Sequence, residues 1–158
     1  MDTPFDPELD LRLERVVDVP RAILWRGWTE PDLLKQWFCP RPWKTTLVEL
    51  DLRPGGRFRS VMEGPDGERH DETGCVLLVE PPHRFVFTDA LGPDWRPTGK
   101  DFMTGIITLT PEGSGTRYVA TARHATAEKR KTHAEMGFEA GWNTALDQLL
   151  ELSATLGA

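Results

Sequence analysis

The chain has 158 residues, of which 39% are hydrophobic and 28% are charged, and its formal net charge is −6. This length is sufficient for one domain with a hydrophobic core. The acidic balance argues against non-specific binding of nucleic acid, which needs a basic surface, and against an anionic membrane as a partner.

Cysteine usage and the lack of a targeting segment indicate a cytoplasmic protein. Cys39 and Cys75 are too few for a disulfide framework or a zinc site, so we expect two reduced thiols. The sequence does not begin with a charged and then apolar leader, and no apolar run approaches 18 residues. We therefore expect a cytoplasmic protein with neither a metal nor another cofactor.

The N-terminal part of the chain predicts one strand and two short helices. Residues 9–19 alternate between apolar and charged side chains, which is typical of a half-buried strand. Val16 and Val17 interrupt this alternation, so we consider a β-bulge there. Two short helices follow, the first opened by Pro20 and the second by Pro31, because proline is favoured in the first turn of a helix.

From residue 43 onward the apolar pattern changes to a period of two, which predicts strands. Turns rich in glycine and proline separate them, and residues 91–101 are predicted to form a loop. The predicted strands cover residues 43–52, 57–63, 68–80, 84–90, 102–110 and 116–125. Strands joined by successive hairpins form an antiparallel sheet.

The C-terminal segment, residues 127–156, predicts one long amphipathic helix capped by Thr126. Its apolar side chains recur at steps of three and four: Ala134, Phe138, Trp142, Ala145, Leu146, Leu149 and Leu156. Gly137 and Gly141 lie inside it, and each weakens a helix by about 1 kcal/mol relative to alanine. We expect a strand or a ligand to approach the backbone there; the alternative is that the glycines let Met136 and Trp142 pack.

These elements predict an α+β fold. A curved antiparallel sheet of six to seven strands wraps around the long C-terminal helix, which is the only helix apolar enough to cover one face of the sheet. The two short helices follow the first strand. We expect a single domain over residues 1–158, in which residues 1–8 form a loose leader.

Four stretches of sequence together carry a resemblance to a known family. They are Trp37-Phe38-Cys39-Pro40, DLRPGGRF at 51–58, PPHRFVFT at 81–88 and MGFEAGW at 136–142. In this order, spread over residues 11–152, they resemble the START-like or SRPBCC (helix-grip) superfamily. Within it the chain is most similar to the group named after the C-terminal domain of the activator of the Hsp90 ATPase.

The resemblance implies a cavity between the sheet and the last helix, which often holds a small apolar ligand. Many relatives carry an aromatic residue where this chain has Asp89, which would place a carboxylate in the cavity wall. The eukaryotic activator has an additional N-terminal domain, and this chain has no room for one. We therefore do not expect activation of Hsp90.

Alternating faces of the strands and the helical segments predict the wall of this cavity. The predicted ligand-binding residues are Trp37, Phe38, Phe58, Met62, Phe85, Phe87, Asp89, Trp95, Met103, Tyr118, His124, Met136 and Trp142. Apolar walls with a few polar groups are typical of small-molecule pockets. The alternative is a filled core without a cavity.

Histidines and carboxylates are the candidates for acid–base or metal chemistry. His124 and His133 flank the start of the predicted long helix, where they can be neighbours at the cavity mouth and one can act as a general base. The alternative is a hydrogen-bonded histidine at a strand end. His70, Asp71 and Glu72 follow a polar hairpin, so a solvated strand end is favoured over a metal site.

Three functional hypotheses remain open from the sequence. The first is a stand-alone domain that binds a small apolar molecule. The second is an enzyme of the cyclase or hydrolase kind that uses Asp89, His124 or Tyr118. The third is a co-chaperone that holds a protein partner through Arg57 and Arg59. A homodimer is left open as an alternative to a monomer.

Overall fold

The computed structural model describes residues 4–156, and its fold is the predicted α+β helix-grip architecture. The strands are β1 (Asp10–Val17), β2 (Lys44–Leu50), β3 (Arg57–Glu63), β4 (Arg69–Glu80), β5 (Arg84–Thr88), β6 (Leu91–Gly92), β7 (Arg96–Pro97), β8 (Thr104–Glu112) and β9 (Gly115–Arg123). The helices are α1 (Arg21–Thr29), α2 (Pro31–Leu34), α3 (Ala127–Glu135) and α4 (Phe138–Thr155).

Seven of these strands form one antiparallel sheet in the order β1-β9-β8-β5-β4-β3-β2. The sheet consists of hairpins, as the turn chemistry predicts, with β1 added at one edge. Helices α1 and α2 carry the chain from β1 at that edge to β2 at the other. The predicted leader lies outside the described residues up to Thr3, and residues 4–9 contain neither helix nor strand.

The first strand is regular, so the predicted bulge at Val16 and Val17 is wrong. Its pairing with β9 runs without a shift from Asp10 to Val17. Val17 is buried and Val16 is 57% exposed, because the alternation continues through this pair. Bulges occur instead in β2, between Thr45 and Leu47, and in β4.

The predicted loop at residues 91–101 contains local structure. Strands β6 and β7 pair with each other, and a single 3₁₀ turn, Pro93–Trp95, connects them. The Trp95 indole covers Gly55, where a Cβ atom would lie 2.8 Å from the ring. Gly55 also has a φ of +82°, so both space and conformation require glycine there.

The predicted 30-residue helix is two helices, which corrects the sequence interpretation. Helix α3 ends at Glu135 and α4 begins at Phe138, because Gly137 adopts a φ of +95° between them. A Cβ on Gly137 would meet no atom within 4 Å, and one on Gly141 would lie 3.7 Å from Pro40. No strand therefore approaches either glycine closely, and the approach of a ligand there stays a prediction.

The core lies between the sheet and α4, with α1 against one end. Leu146 and Leu149 of α4 are completely or almost completely buried. Gly27 lets α1 approach α4 closely, since a Cβ there would lie 2.5 Å from Leu149 Cδ1. Helix α3 contributes one buried residue, His133, while Ala134 of the predicted apolar stripe is exposed.

Gln148 of α4 fixes the segment that follows α2. Its side-chain nitrogen donates to the carbonyl oxygens of Trp37 and Cys39, at 3.1 and 2.8 Å. Its side-chain oxygen accepts the backbone N–H of Arg41 at 2.9 Å. One buried amide thus satisfies three backbone groups of a segment that has no regular structure of its own.

Candidate functional site

A cleft of about 890 Å³ lies between the inner face of the sheet and helix α4. Strands β3, β4, β5 and β9 supply its sheet side, together with the residues just before β8. Helices α3 and α4 and the segment that Gln148 holds supply the other side. Most of the side chains that line it are aromatic or aliphatic, since the inward positions of the strands alternate with outward polar positions.

The structure places ten of the thirteen predicted wall residues on the cleft. They are Trp37, Phe38, Phe58, Met62, Phe87, Asp89, Met103, Tyr118, Met136 and Trp142. They come from seven separate parts of the chain, and the curvature of the sheet brings them together. Met136 is 69% exposed and therefore lies at the rim.

The other three predicted wall residues lie elsewhere. Phe85 is completely buried because α1 covers that end of its strand, with the Trp28 ring centroid 6.1 Å away. Trp95 is 52% exposed beside Gly55. His124 lies behind His133, which takes the place on the cleft that the sequence assigned to His124.

Trp28 is the main aromatic residue that the sequence prediction missed. Its ring lies 4.9 Å from that of Trp37 and 5.9 Å from that of Phe87, and its Nε1–H donates to the Tyr118 hydroxyl at 2.9 Å. Burial raises the pKa of Tyr118, which therefore stays protonated. The spacing of Trp25 and Trp28 on one helix face was the available signal.

Two histidines form a hydrogen-bonded pair beside the cleft. His124 Nδ1 lies 2.7 Å from the carbonyl oxygen of Leu9, and His124 Nε2 lies 2.9 Å from Nδ1 of His133. Both rings are more than nine-tenths buried. Burial lowers the pKa of His133 to about 4, and the adjacent His124 contributes to the same shift.

Asp89 lines the cleft, but its carboxylate is engaged by the backbone. Its two oxygens accept the N–H of Phe102 at 3.0 and 3.1 Å, and one of them also accepts the N–H of Met103 at 3.2 Å. These bonds hold the residues that lead into β8. The carboxylate therefore has a structural partner for each of its oxygens.

Charged side chains at the cleft mouth form two ion pairs. Lys100 lies 2.9 Å from Glu72, and Lys129 lies 3.0 Å from Asp101. The members of each pair are 28 residues apart in sequence, so a local sequence pattern cannot predict them. His70 also lies at the mouth, with its ring 5.4 Å from that of Trp43.

Residues 4–156 contain neither a cluster of metal-ligating side chains nor a membrane-spanning helix. No group of three or more histidine, cysteine, aspartate or glutamate side chains in that range is arranged to hold a metal ion. Within the same range, no helix combines the length and the apolar character that crossing a membrane requires.

Comparisons with known proteins give a consistent picture. The model of a family described as Activator of Hsp90 ATPase homolog 1-like protein matches residues 18–154. A crystal structure from Nitrosomonas europaea is 48% identical over 96% of this chain and 97% of that chain, with a TM-score of 0.93. One from Mycobacterium smegmatis is 31% identical over 100% of this chain and 97% of that chain, with a TM-score of 0.77.

An AHSA1-like protein from Aeromonas hydrophila, 24% identical over 94% of each chain, shares the fold with a TM-score of 0.68. No protein of curated function matches the chain.

Proposed function

Since this chain belongs to the Activator of Hsp90 ATPase homolog 1-like family and has a START-like fold, we propose that it binds a small, mostly apolar molecule in its cleft. The observation that carries this proposal is the size and lining of the cleft. A volume of about 890 Å³ lies within the range of small-molecule sites, and aromatic rings dominate the lining.

The physical argument is that an apolar molecule would replace water against these rings. Transfer of apolar surface out of water is favourable by about 25 cal/mol per Å². Met62 and Met103 can adapt the wall to the shape of the molecule because methionine side chains are flexible and polarisable.

Cys39 and Cys75 are buried free thiols, which supports a cytoplasmic location as part of the proposal.

Blocking the cleft tests this function. Ala145 lines the cleft on α4, so Ala145→Phe should place a ring in the space that the ligand would occupy. Ala154 is exposed on the same helix, and Ala154→Phe is the matched control. The neutral fluorescent probe N-phenyl-1-naphthylamine should bind the wild type and Ala154→Phe alike. Ala145→Phe should weaken its binding by about tenfold or more, which corresponds to about 1.4 kcal/mol.

Trp142→Ala removes part of the wall and should also weaken binding of the probe. The proposal is wrong if the probe fails to bind the wild type, or if it binds Ala145→Phe as tightly as the wild type. Circular dichroism of each variant would establish that the fold is intact.

Surface charges favour the cleft over the co-chaperone hypothesis. The Arg59 guanidinium already contacts Glu49 at 2.7 Å and Asp71 at 2.9 Å, and Arg57 lies 3.9 Å from Glu49. These arginines are thus engaged within the sheet face that was considered for a protein partner. Stimulation of a bacterial Hsp90 ATPase by an excess of this protein would argue for the co-chaperone function instead.

A further inference from the structure

The histidine pair defines the hydrogen-bonding character of one point on the cleft wall. His124 Nδ1 must carry a hydrogen, because the Leu9 carbonyl oxygen at 2.7 Å can only accept. In a neutral ring the other nitrogen, Nε2, is then an acceptor. Nδ1 of His133, 2.9 Å from that acceptor, must therefore donate.

The same reasoning leaves Nε2 of His133 as an acceptor with a lone pair. His133 is 6% exposed and lines the cleft. Among residues 4–156, no group forms a hydrogen bond with Nε2 of His133. This nitrogen is nevertheless not sealed from solvent. Aromatic rings surround the imidazole, with the Phe102 and Phe138 centroids at 4.6 and 5.2 Å. The open side of this nitrogen is therefore the cleft.

The charges around the cleft bear on what this acceptor can meet. Glu72, Asp89 and Asp101 supply three carboxylates, and Lys100 and Lys129 supply two ammonium groups, so the formal charge of the lining is −1. Each ammonium group is already paired. Because burial lowers the pKa of His133 to about 4, its ring adds no positive charge at neutral pH. An anionic ligand thus finds no uncommitted cation here.

We infer that the molecule in the cleft is a neutral alcohol or phenol, whose hydroxyl donates a hydrogen bond to Nε2 of His133. This inference rests on the proposed function, because it specifies the ligand of the same cleft. His124 acts as a positioning residue. Its hydrogen bond to the Leu9 carbonyl oxygen fixes its own tautomer, and this in turn fixes the tautomer of His133. Once a ligand excludes water from the cleft, an acceptor left without a partner is costly, so a ligand hydroxyl that donates to Nε2 avoids this penalty.

Two probes that differ in one hydrogen-bond donor test this inference. 2-Naphthol carries a hydroxyl, and 2-methoxynaphthalene has the same rings and oxygen without the proton. Dissociation constants are measured at pH 8, where imidazoles are neutral, from quenching of tryptophan fluorescence. In the wild type, 2-naphthol gains affinity from its hydroxyl. In His133→Phe the affinity for 2-naphthol, relative to that for 2-methoxynaphthalene, should therefore fall by about 3- to 10-fold. The difference in hydrophobicity between the probes cancels in this comparison.

His83→Phe is the control, because His83 is a half-buried histidine that does not line the cleft. This variant should keep the wild-type ratio. An unchanged ratio in His133→Phe overturns the inference while leaving the proposed function intact. If neither probe binds the wild type, the proposed function fails and the inference fails with it.

A spectroscopic measurement on the wild type avoids any loss of folding in the variant. Nitrogen-15 NMR of labelled histidine should show His133 protonated at Nδ1, with a lone pair on Nε2. Addition of 2-naphthol should shift the Nε2 resonance of His133 in the direction of hydrogen bonding, and 2-methoxynaphthalene should not. A proton on Nε2 in the free protein would overturn the inference.

Discussion

Gln148 shows how one polar side chain determines the shape of the cleft wall. The segment that carries Trp37 and Cys39 has little regular structure, so its backbone groups depend on the amide of Gln148. The sequence interpretation missed this residue because the helical pattern of α4 does not indicate which distant backbone groups a glutamine side chain will meet.

Substitution of Gln148 by leucine tests this role. Gln148→Leu keeps the size of the side chain but leaves three backbone groups without partners, so we expect the free energy of unfolding to fall by about 2–4 kcal/mol. Urea denaturation followed by tryptophan fluorescence measures the change. Gln36→Leu, at an exposed position of the same residue type, should change it by less than about 0.5 kcal/mol. Equal effects of the two substitutions would contradict the assigned role.

His133 makes stability depend on pH with a defined sign. Burial, followed by the proximity of His124, lowers its pKa in the folded state to about 4, whereas the ordinary value is 6.5. As pH falls from 6.5 to 4, the unfolded chain takes up a proton that the folded chain does not. His133 therefore contributes stability above pH 6.5 that is lost progressively as pH falls to 4.

Urea midpoints between pH 7.5 and 4.5 measure this dependence. The wild type should lose stability more steeply than His133→Phe, by at most about 1.4 kcal/mol per pH unit. Gln36→Leu, which removes no titratable group, should follow the wild-type slope. Parallel pH profiles for the wild type and His133→Phe would show that the buried imidazole does not carry this effect.

At the scale of elements, hairpins were easier to predict than the helix boundary. Turns rich in glycine and proline separate segments whose apolar side chains recur with a period of two. These local signals predicted the order of the strands. The break at Gly137 was missed because apolar side chains recur at helical spacing on both sides of it. A glycine that ends a helix and one that lies inside it look alike in sequence, since only φ distinguishes them.

The two glycines of this region should respond to alanine in opposite ways. Gly137→Ala should lower the free energy of unfolding by about 1–2 kcal/mol, because an L-residue at a φ of +95° is strained. Gly141→Ala should raise it by up to about 1 kcal/mol, since Gly141 is inside α4 and its new Cβ makes an ordinary contact with Pro40. Thermal unfolding of both variants provides the measurement. A stabilised Gly137→Ala protein would mean that α3 and α4 can join.

For the whole molecule, the sequence predicted the overall fold more completely than it predicted the lining of the cleft. The order of elements and the family resemblance together predicted the sheet and its covering helix. Helix α1 covers part of the sheet, and the extent of this cover determines which aromatic residues line the cleft. Phe85 and Phe87 share one face of β5, yet only Phe87 lines the cleft. The ion pairs at the mouth depend likewise on contacts between distant segments.

Occupation of the cleft should stabilise the whole molecule, because a ligand that binds only the folded state shifts the unfolding equilibrium. With N-phenyl-1-naphthylamine at 100 times its dissociation constant, we expect a gain of about 2.7 kcal/mol in the free energy of unfolding. Differential scanning fluorimetry at increasing probe concentration measures it. At the same probe concentration Ala145→Phe, which binds about tenfold more weakly or worse, should gain at most about 1.4 kcal/mol, and a gain as large as that of the wild type would place the probe elsewhere.

The bulge in β2 has a consequence for how copies of this chain can meet. β2 lies at the outer edge of the seven-stranded sheet, and its register shifts between Thr45 and Leu47. An edge strand with an uninterrupted row of backbone donors and acceptors invites another chain to extend the sheet, whereas a kinked edge offers no continuous template. The irregularity therefore works against polymerisation through this border, which a curved sheet with two open sides would otherwise risk.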